Sequence, residues 1–360
     1  EAKSRVAMPK DYDPIPDVVE TAVAQDSQRD AAVADLDPAV KANGYRQLMG
    51  SVGTGYNYSG AWTSGLTERY VVTTANRNEA WRTGTDQHFT CVLKHPEQRW
   101  ELRAVDTGWQ GDAVRIGDAA RQLQSLLPVF EGEPGLRLEP GRYTVLFGAE
   151  ALADIVAMAL WTGLFGRSWE EKQGWTAGRQ IGDPVLGPNI TISDDPTSEL
   201  TFRHAFDDSG LTRQPFPLIA AGALAGLMYD PATAARYGHR PTGHNLEGTS
   251  ITMGTRDGPV DPLAAAADLP SVLYIPALHY MHIPNRSQGL FTGSSRFGAV
   301  LVEHGRMIRP IHSSRVTDTF ANVLGNVRAL ALHAVSFNQS PSDGRRSPVA
   351  SCVPAYSLIE

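Results

Sequence analysis

The chain has 360 residues, of which 42% are hydrophobic and 20% charged, and this composition is typical of a folded globular protein rather than a disordered one. Its 39 acidic and 32 basic residues give a net charge of −7, without the Lys/Arg block that phosphate contacts in nucleic-acid binding need. The longest apolar stretches fall short of the roughly 20 residues that cross a bilayer. We therefore expect no direct contact with nucleic acid and no membrane span.

The first 130 residues predict an αβ domain. Apolar residues near helical spacing predict a helix over 15–36. Glycines alternating with runs of β-forming residues predict an antiparallel sheet over 44–104. Helical periodicity returns over 112–127, where Pro128 is expected to end the helix.

Residues 131–360 predict a second, β-rich domain. A connector over 131–141 leads to a short strand over 143–147 and then to the most apolar helix of the chain, over 149–164. The predicted fold class is α+β, with an N-terminal αβ domain that contains an antiparallel sheet and a C-terminal β-rich domain. The other predicted elements are strands at 189–193, 218–228, 250–254, 271–275, 298–303 and 309–311, a helix at 318–334 and a polar loop at 340–347.

Histidines are the first candidates for metal chemistry, but the zinc-peptidase pattern HExxH is absent from the sequence. His279 and His282 lie in a β-like segment, where a spacing of three is expected to place the two rings on opposite faces. His239 and His244 lie in a loop and, with an acid such as Asp208, could form a metal site of their own. That hypothesis makes the chain an independent enzyme that binds zinc alone and loses it in His244→Ala.

Two pairs of adjacent acids, at 194–195 and 207–208, are candidates for acid/base chemistry. Adjacent acids in polar turns more often cap backbone amides. Cys91 and Cys352 are too few for a disulfide framework and lack zinc-ligand spacing, which favours a reducing, cytoplasmic location.

Six motifs follow one another along the second domain, and their order resembles the PmbA/TldD family. Members of that family are described as modulators of DNA gyrase and as subunits of a zinc metallopeptidase. The motifs are GRYTVLFGAEALAD (141–154), ITISDDP (190–196), FDDSG (206–210), LAGLMYD (224–230), AARYG with PTGHN (234–245) and GAVLVEHG (298–305).

The motif helix departs from the pattern of the catalytic members. Those members carry HExxxH and a later cysteine ligand, and the resemblance places Ala149, Glu150 and Asp154 at the His, Glu and His positions. Glu150 keeps the residue type of the general base, but without an ion it has no acidified water to activate. Cys352 lies outside the Pro-Gly-x-Cys-Gly context of the family ligand and is expected to be a buried residue of a closing strand. The resemblance thus implies no metal and no catalytic residue in this chain.

This pattern resembles the TldE/PmbA-like branch, which pairs with a metal-bearing TldD-like chain. The resemblance implies a non-metal subunit of a heterodimeric zinc metallopeptidase that hydrolyses amide bonds in unfolded or small peptides, with zinc in the partner. This hydrolysis could serve the maturation of a peptide or natural product. An alternative function under the same resemblance is that of a deacetylase or amidase subunit in biosynthesis. The rival hypothesis is a non-catalytic peptide-binding or regulatory protein.

Two further expectations come from the same resemblance. The loop formed by Thr242, Gly243, His244 and Asn245 is predicted to line the substrate chamber, and a purely structural turn is the alternative. Family members open with a further α/β segment, so the N-terminal domain is expected to be shortened at its start, unless the numbered chain omits that segment.

Overall fold

The computed structural model describes residues 25–73, 78–244, 249–339 and 350–360. Within these ranges the chain forms eight helices and nineteen strands, arranged in four sheets. The predicted α+β class is confirmed. None of the helices in these ranges has the length and apolar character that a membrane crossing requires.

The N-terminal sheet is built around one long hairpin, and it confirms the antiparallel sheet predicted for this region. Strands β2 and β3 pair over 17 residues each, and the inner end of β3 also pairs antiparallel with β4. The outer part of β3 pairs in parallel with β1. The four strands are β1 (Gln25–Gln28), β2 (Asn57–Thr73), β3 (Asn78–Lys94) and β4 (Glu101–Gly108).

The helices beside this sheet differ from the prediction in their bounds. The helix predicted over 15–36 is wrong in its described part, where β1 is followed only by the single turn α1 (Ala31–Ala34). Residues 44–52, predicted as sheet, belong instead to α2 (Pro38–Val52). The side chain of Asp37 accepts a hydrogen bond from the Ala39 amide and a proline follows at the first helical position, which together start α2.

The third helix, α3 (Ile116–Gly132), continues through Pro128, so the prediction that this proline ends it is wrong. Leu123, Leu127 and Phe130 lie buried on the inner face of the helix on both sides of the proline. Burial of this apolar face offsets the backbone hydrogen bond that proline cannot make.

Two six-stranded sheets form the C-terminal region. In the first, β5 pairs in parallel with β10 on one side and antiparallel with β19 on the other. Its order is β14-β13-β10-β5-β19-β16. Its strands are β5 (Val145–Gly148), β10 (Val272–Ile275), β13 (Val300–Glu303), β14 (Arg306–Pro310), β16 (Val327–Leu330) and β19 (Tyr356–Ile359).

The second six-stranded sheet has the order β17-β18-β9-β6-β7-β8, and a separate three-stranded sheet has the order β11-β12-β15. The strands predicted in this region are present with shifted ends, and the one predicted at 218–228 is divided into β7 and β8. The strand expected around Cys352 is β18, whereas β11, β12, β15, β16, β17 and β19 were not predicted as separate strands. The bounds are β6 (Ile192–Asp194), β7 (Phe216–Ala220), β8 (Ala223–Leu224), β9 (Ser250–Met253), β11 (Ala277–Asn285), β12 (Leu290–Arg296), β15 (Arg315–Thr319), β17 (Ala334–Asn338) and β18 (Ala350–Pro354).

The apolar helix predicted over 149–164 is confirmed as α4 (Ala149–Gly163). It packs against β5 and β19 of the first sheet, β17 and β18 of the second, and β11. The helix predicted over 318–334 is wrong beyond its first part, because α8 (Phe320–Gly325) gives way to β16. The remaining helices are α5 (Gly166–Glu170), α6 (Pro231–Tyr237) and α7 (Pro262–Ala265), and the predicted loop at 340–347 lies outside the described residues.

Two hydrophobic clusters form the core. One surrounds α4 and draws on all three C-terminal sheets. The other joins Phe89 and Leu102 of the N-terminal sheet and Leu123 of α3 to Leu146 and Val300 of the first C-terminal sheet. Packing thus extends across the domain boundary predicted at residue 130, and the division of the chain at that position stays a prediction.

Candidate functional site

The candidate site lies where β5 ends and α4 begins. Gly148 is the N-cap of α4, and a Cβ there would meet the Pro276 backbone at about 3 Å. The Ala151 amide of the first turn donates to the Pro276 carbonyl at 3.2 Å. This close approach of backbone segments needs glycine and fixes the start of α4 against the end of β10.

Glu150, in the first turn of α4, forms an ion pair with Arg103 of β4. Both side chains are largely buried, and the Arg103 guanidinium lies 3.9 Å from the centre of the Phe297 ring. Burial lowers the pKa of Arg103 to about 10, Asp154 opposes this effect, and Arg296 adds to it. The pair connects the N-terminal sheet to the motif helix.

Asp154 lies one turn further along α4, on the same face as Glu150. Gln339 Nε2 donates to Asp154 Oδ1 at 3.2 Å, and Ser351 Oγ donates to Gln339 Oε1 at 2.5 Å. Burial raises the pKa of Asp154 to about 6, although the Gln339 hydrogen bond and the Arg103 charge act in the opposite direction. Asp154 is therefore a carboxyl group that titrates close to neutral pH.

A cavity of about 290 Å³ opens at the start of α4. Arg103, Glu150, Phe297 and Tyr274 contribute to its walls. Burial raises the pKa of the Tyr274 hydroxyl to about 12, so it is neutral at physiological pH. The cavity presents the Arg103–Glu150 ion pair among walls that mix apolar and polar side chains.

Phe297 separates this cavity from a larger one of about 930 Å³, because its ring lines both. Its φ of +61° lies in the left-handed region, which is costly for an aromatic residue and is often associated with functional sites. Arg296 lies 4.8 Å from the centre of the same ring and makes two hydrogen bonds to Glu101 Oε2, at 2.9 and 3.2 Å. Two arginines, each with its own carboxylate, thus flank one strained phenylalanine.

The residues at the start of α4 do not fit a zinc ion. Zinc sites in proteins use imidazole, thiolate and carboxylate ligands, and here a methyl group, a carboxylate paired with a guanidinium and a carboxyl bound to Gln339 occupy the motif positions. Across the ranges that the structure describes, no group of three His, Cys, Asp or Glu residues is placed to hold a metal.

Asp194, of the first predicted acid pair, lies in a fully buried cluster at the end of β6. Arg213 Nη2 lies 2.5 Å from Oδ1, His244 Nδ1 donates to Oδ2 at 2.7 Å, and the Ser250 amide donates to Oδ1 at 2.6 Å. Burial raises the pKa of Asp194, but the His244 hydrogen bond, the Arg213 charge and the Ser250 amide outweigh it and hold the pKa below its usual value. Asp195 instead accepts from the Thr197 amide at 2.9 Å.

The second acid pair is also engaged within the chain. Asp207 accepts hydrogen bonds from the Ser209 and Leu211 amides at 2.8 and 2.9 Å, and Asp208 pairs with Arg69 of the long hairpin. Asp207 fixes a turn, as is typical of acids in polar segments, whereas Asp208 connects that turn to the long hairpin.

The loop predicted to line a substrate chamber is held in place by hydrogen bonds and a ring contact with neighbouring segments of the chain. The Thr242 amide donates to the Tyr229 carbonyl at 2.9 Å, and its hydroxyl accepts from the Tyr229 amide at 3.1 Å. Gly243 has a φ of +74° and is buried, and the His244 ring stacks on Phe216. Asn245 lies outside the described residues, and the chamber-lining role of the loop stays a prediction.

The structure does not bring together the three residues of the alternative metal site. His239 Nε2 lies 2.6 Å from Glu170 Oε1, whereas His244 contacts Asp194 and Asp208 contacts Arg69. Each of the three side chains has a different partner, so this set does not form one ligand sphere.

His279 and His282 share one face of β11, so the prediction of opposite faces is wrong. A bulge at Tyr280, whose φ is +49°, shifts the register, and the two histidines pair with Ser294 and Thr292 on the same side of β12.

Both cysteines are buried structural residues. Burial raises the pKa of each thiol to about 11, for Cys91 within β3 and for Cys352 within β18. The expectation that Cys352 lies in a closing strand is confirmed.

Sequence reasoning missed Arg103, Phe297 and Gln339, which complete the site. Arg103 lies on a half-buried strand between Leu102 and Ala104, a pattern that predicts a solvent-facing arginine. Its contact with α4 depends on the packing of the N-terminal sheet on the C-terminal region, for which one sequence contains no local signal.

Residues 140–355, more than half of the chain, match the family model of the PmbA/TldA metallopeptidase C-terminal domain. The chain belongs to the PmbA/TldD family. None of the curated proteins matches it. The start of α4 described above lies within the matched range.

Solved structures of low sequence identity share the PmbA/TldD fold. TldE from Thermococcus kodakarensis has a TM-score of 0.79 at 14% identity, with 100% of this chain and 81% of that chain covered. A proposed modulator of DNA gyrase from Bacteroides thetaiotaomicron has a TM-score of 0.72 at 16% identity, with 92% and 74% covered. A second such protein, from Thermotoga maritima, has a TM-score of 0.73 at 14% identity, with 95% and 78% covered.

Proposed function

We propose that this chain is the non-metal, TldE-like subunit of a heterodimeric zinc metallopeptidase, and that a TldD-like partner holds the zinc. The observation that carries the proposal is the ion pair between Glu150 and Arg103. The guanidinium neutralises the one motif residue whose type is kept, so Glu150 is not poised to activate a metal-bound water. The reaction, hydrolysis of amide bonds in unfolded or small peptides, belongs to the complex.

The proposed role of this chain in the complex is to form a wall of the substrate chamber and to orient the peptide. The cavity at the start of α4 and the loop at 242–245 are the candidate contact regions. The ion pairs and hydrogen bonds that fix them give the rigid support that a substrate-orienting surface requires. We place the complex in the cytoplasm, where buried free cysteines such as Cys91 and Cys352 remain reduced.

The test compares peptide hydrolysis by this chain alone, by a TldD-like chain from the same genome and by the two together. We expect hydrolysis of an unstructured peptide to require both chains and to be abolished by a zinc chelator. Parallel assays on an acetylated amine distinguish the deacetylase or amidase version.

Hydrolysis by this chain alone would contradict the proposal. Peptide binding by this chain alone, with no hydrolysis and no effect of the second chain, would instead favour the regulatory hypothesis.

A further inference from the structure

Arg103, on β4, contacts the motif face of α4. It pairs directly with Glu150, and its charge lowers the pKa of Asp154 one turn away. These two acids occupy positions i and i+4 of one helix, so their side chains project from the same face. A cation that interacts with both carboxylates is thus supplied by β4.

The neighbouring Arg296 shows that this pairing is specific. Its guanidinium also lies close to the Phe297 ring, but it makes two hydrogen bonds to Glu101 instead of pairing with an acid of α4. Each arginine has a separate acidic partner, and Arg103 is the one engaged by α4.

Two partly buried carboxylates on one helix face need a cation nearby, because an uncompensated buried charge is costly. In many enzymes a metal ion supplies that charge. We propose that Arg103 is a tethered cation that takes the place of a divalent metal ion at the start of α4, balances Glu150 and Asp154, and excludes such an ion. The proposal concerns this chain alone and holds with or without a partner subunit.

If this proposal holds, removal of the Arg103 guanidinium creates a site beside Glu150 that a metal cation can occupy. Replacement of Arg103 by a neutral residue leaves Glu150, which lines the 290 Å³ cavity, without its cation, and the cavity has room for a hydrated ion. Asp154 lies one turn away on the same helix face and is the second carboxylate within reach of that position. Carboxylate and water oxygens suit Mn²⁺, which is therefore the probe.

The experiment measures Mn²⁺ binding at pH 7.5 by electron paramagnetic resonance, from the loss of the free-ion signal. We expect Arg103→Met to bind one Mn²⁺ at least tenfold more tightly than the wild-type chain. We expect the gain to disappear in Arg103→Met combined with Glu150→Gln or with Asp154→Asn. Arg296→Met is the matched control, since it removes a neighbouring guanidinium that pairs with Glu101, and it should show no gain.

Arg103→Gln is the second variant if Arg103→Met fails to fold, as judged by circular dichroism. A folded Arg103→Met or Arg103→Gln chain that binds Mn²⁺ no better than the wild type would overturn the proposal. A gain that survives Glu150→Gln, or that Arg296→Met shows equally, would also overturn it.

Discussion

Asp154 is the residue whose ionisation is most open to measurement. The folded chain holds its proton up to a pKa of about 6, whereas the unfolded chain releases it near 3.8. Because the folded-state pKa is raised, the ionised carboxylate lowers the stability of the fold above pH 6, and this penalty is absent below pH 3.8.

We therefore expect Asp154→Asn to stabilise the chain by roughly 2–3 kcal/mol at pH 7.5, from 1.36 kcal/mol for each unit of pKa shift, and by far less at pH 4. Asparagine keeps the acceptor for Gln339. Urea unfolding at the two pH values measures the difference. Asp118→Asn, on an exposed part of α3, is the control and should change stability by less than about 0.5 kcal/mol at either pH. Equal effects of Asp154→Asn at both pH values would refute the assignment.

Asp194 shows the opposite electrostatic behaviour. Its pKa lies below the usual range, so the stability that its charge provides is present above pH 4 and is lost as the pH falls further. Asp194→Ala leaves Arg213 buried without this carboxylate, and we expect a loss of about 3–5 kcal/mol in the free energy of unfolding at pH 7.

Asp195→Ala is the matched control for this change. It removes the turn hydrogen bonds that Asp195 accepts from the Thr197 amide and hydroxyl, and we expect a loss of about 1 kcal/mol in the same denaturation experiment. Similar losses for the two variants would contradict a structural role specific to the buried cluster.

At the scale of secondary structure elements, local sequence patterns were sufficient to predict an element where its own residues carry a strong apolar or β-forming signal. The apolar run from Ala149 predicted α4, and the run of β-formers around Phe89 predicted the hairpin. Local patterns failed where tertiary packing overrides them, as at Pro128, which α3 accommodates because its inner face is buried. They also failed beyond Gly325, where residues of helical periodicity pair with β19 instead.

The site was predictable to a similar degree. The resemblance drew attention to Glu150 and Asp154, because the family pattern HExxxH is short and can be aligned locally even where its histidines are replaced. It did not locate Arg103, whose position opposite them is set by packing between segments that are distant along the chain. The same is true of Gln339, which reaches Asp154 from the end of β17.

The end of α4 provides a test of its packing. A Cβ at Gly163 would lie 2.1 Å from Trp175 Nε1, which donates to the Ala159 carbonyl at 2.8 Å, so Gly163→Ala must displace the indole. We expect a loss of about 1–3 kcal/mol in the free energy of unfolding. The same substitution at Gly50 of α2, where no atom lies within 4 Å, should instead stabilise the chain by about 0.5–1 kcal/mol. Thermal and urea unfolding measure both, and a stabilising Gly163→Ala would contradict the packing described.

At the scale of the whole molecule, α4 is enclosed by two six-stranded sheets, and its start faces the N-terminal sheet through Arg103. The chain thus keeps the PmbA/TldD fold, and an arginine of β4 pairs with Glu150 at the start of α4. The account therefore assigns zinc and hydrolysis to a partner and substrate support to this chain.

The most direct test of that assignment is native mass spectrometry with metal analysis of this chain, purified alone and after co-expression with a TldD-like chain from the same genome. The account predicts a metal-free chain on its own and, after co-expression, a heterodimer that carries zinc in the partner. Stoichiometric zinc on this chain alone would contradict it.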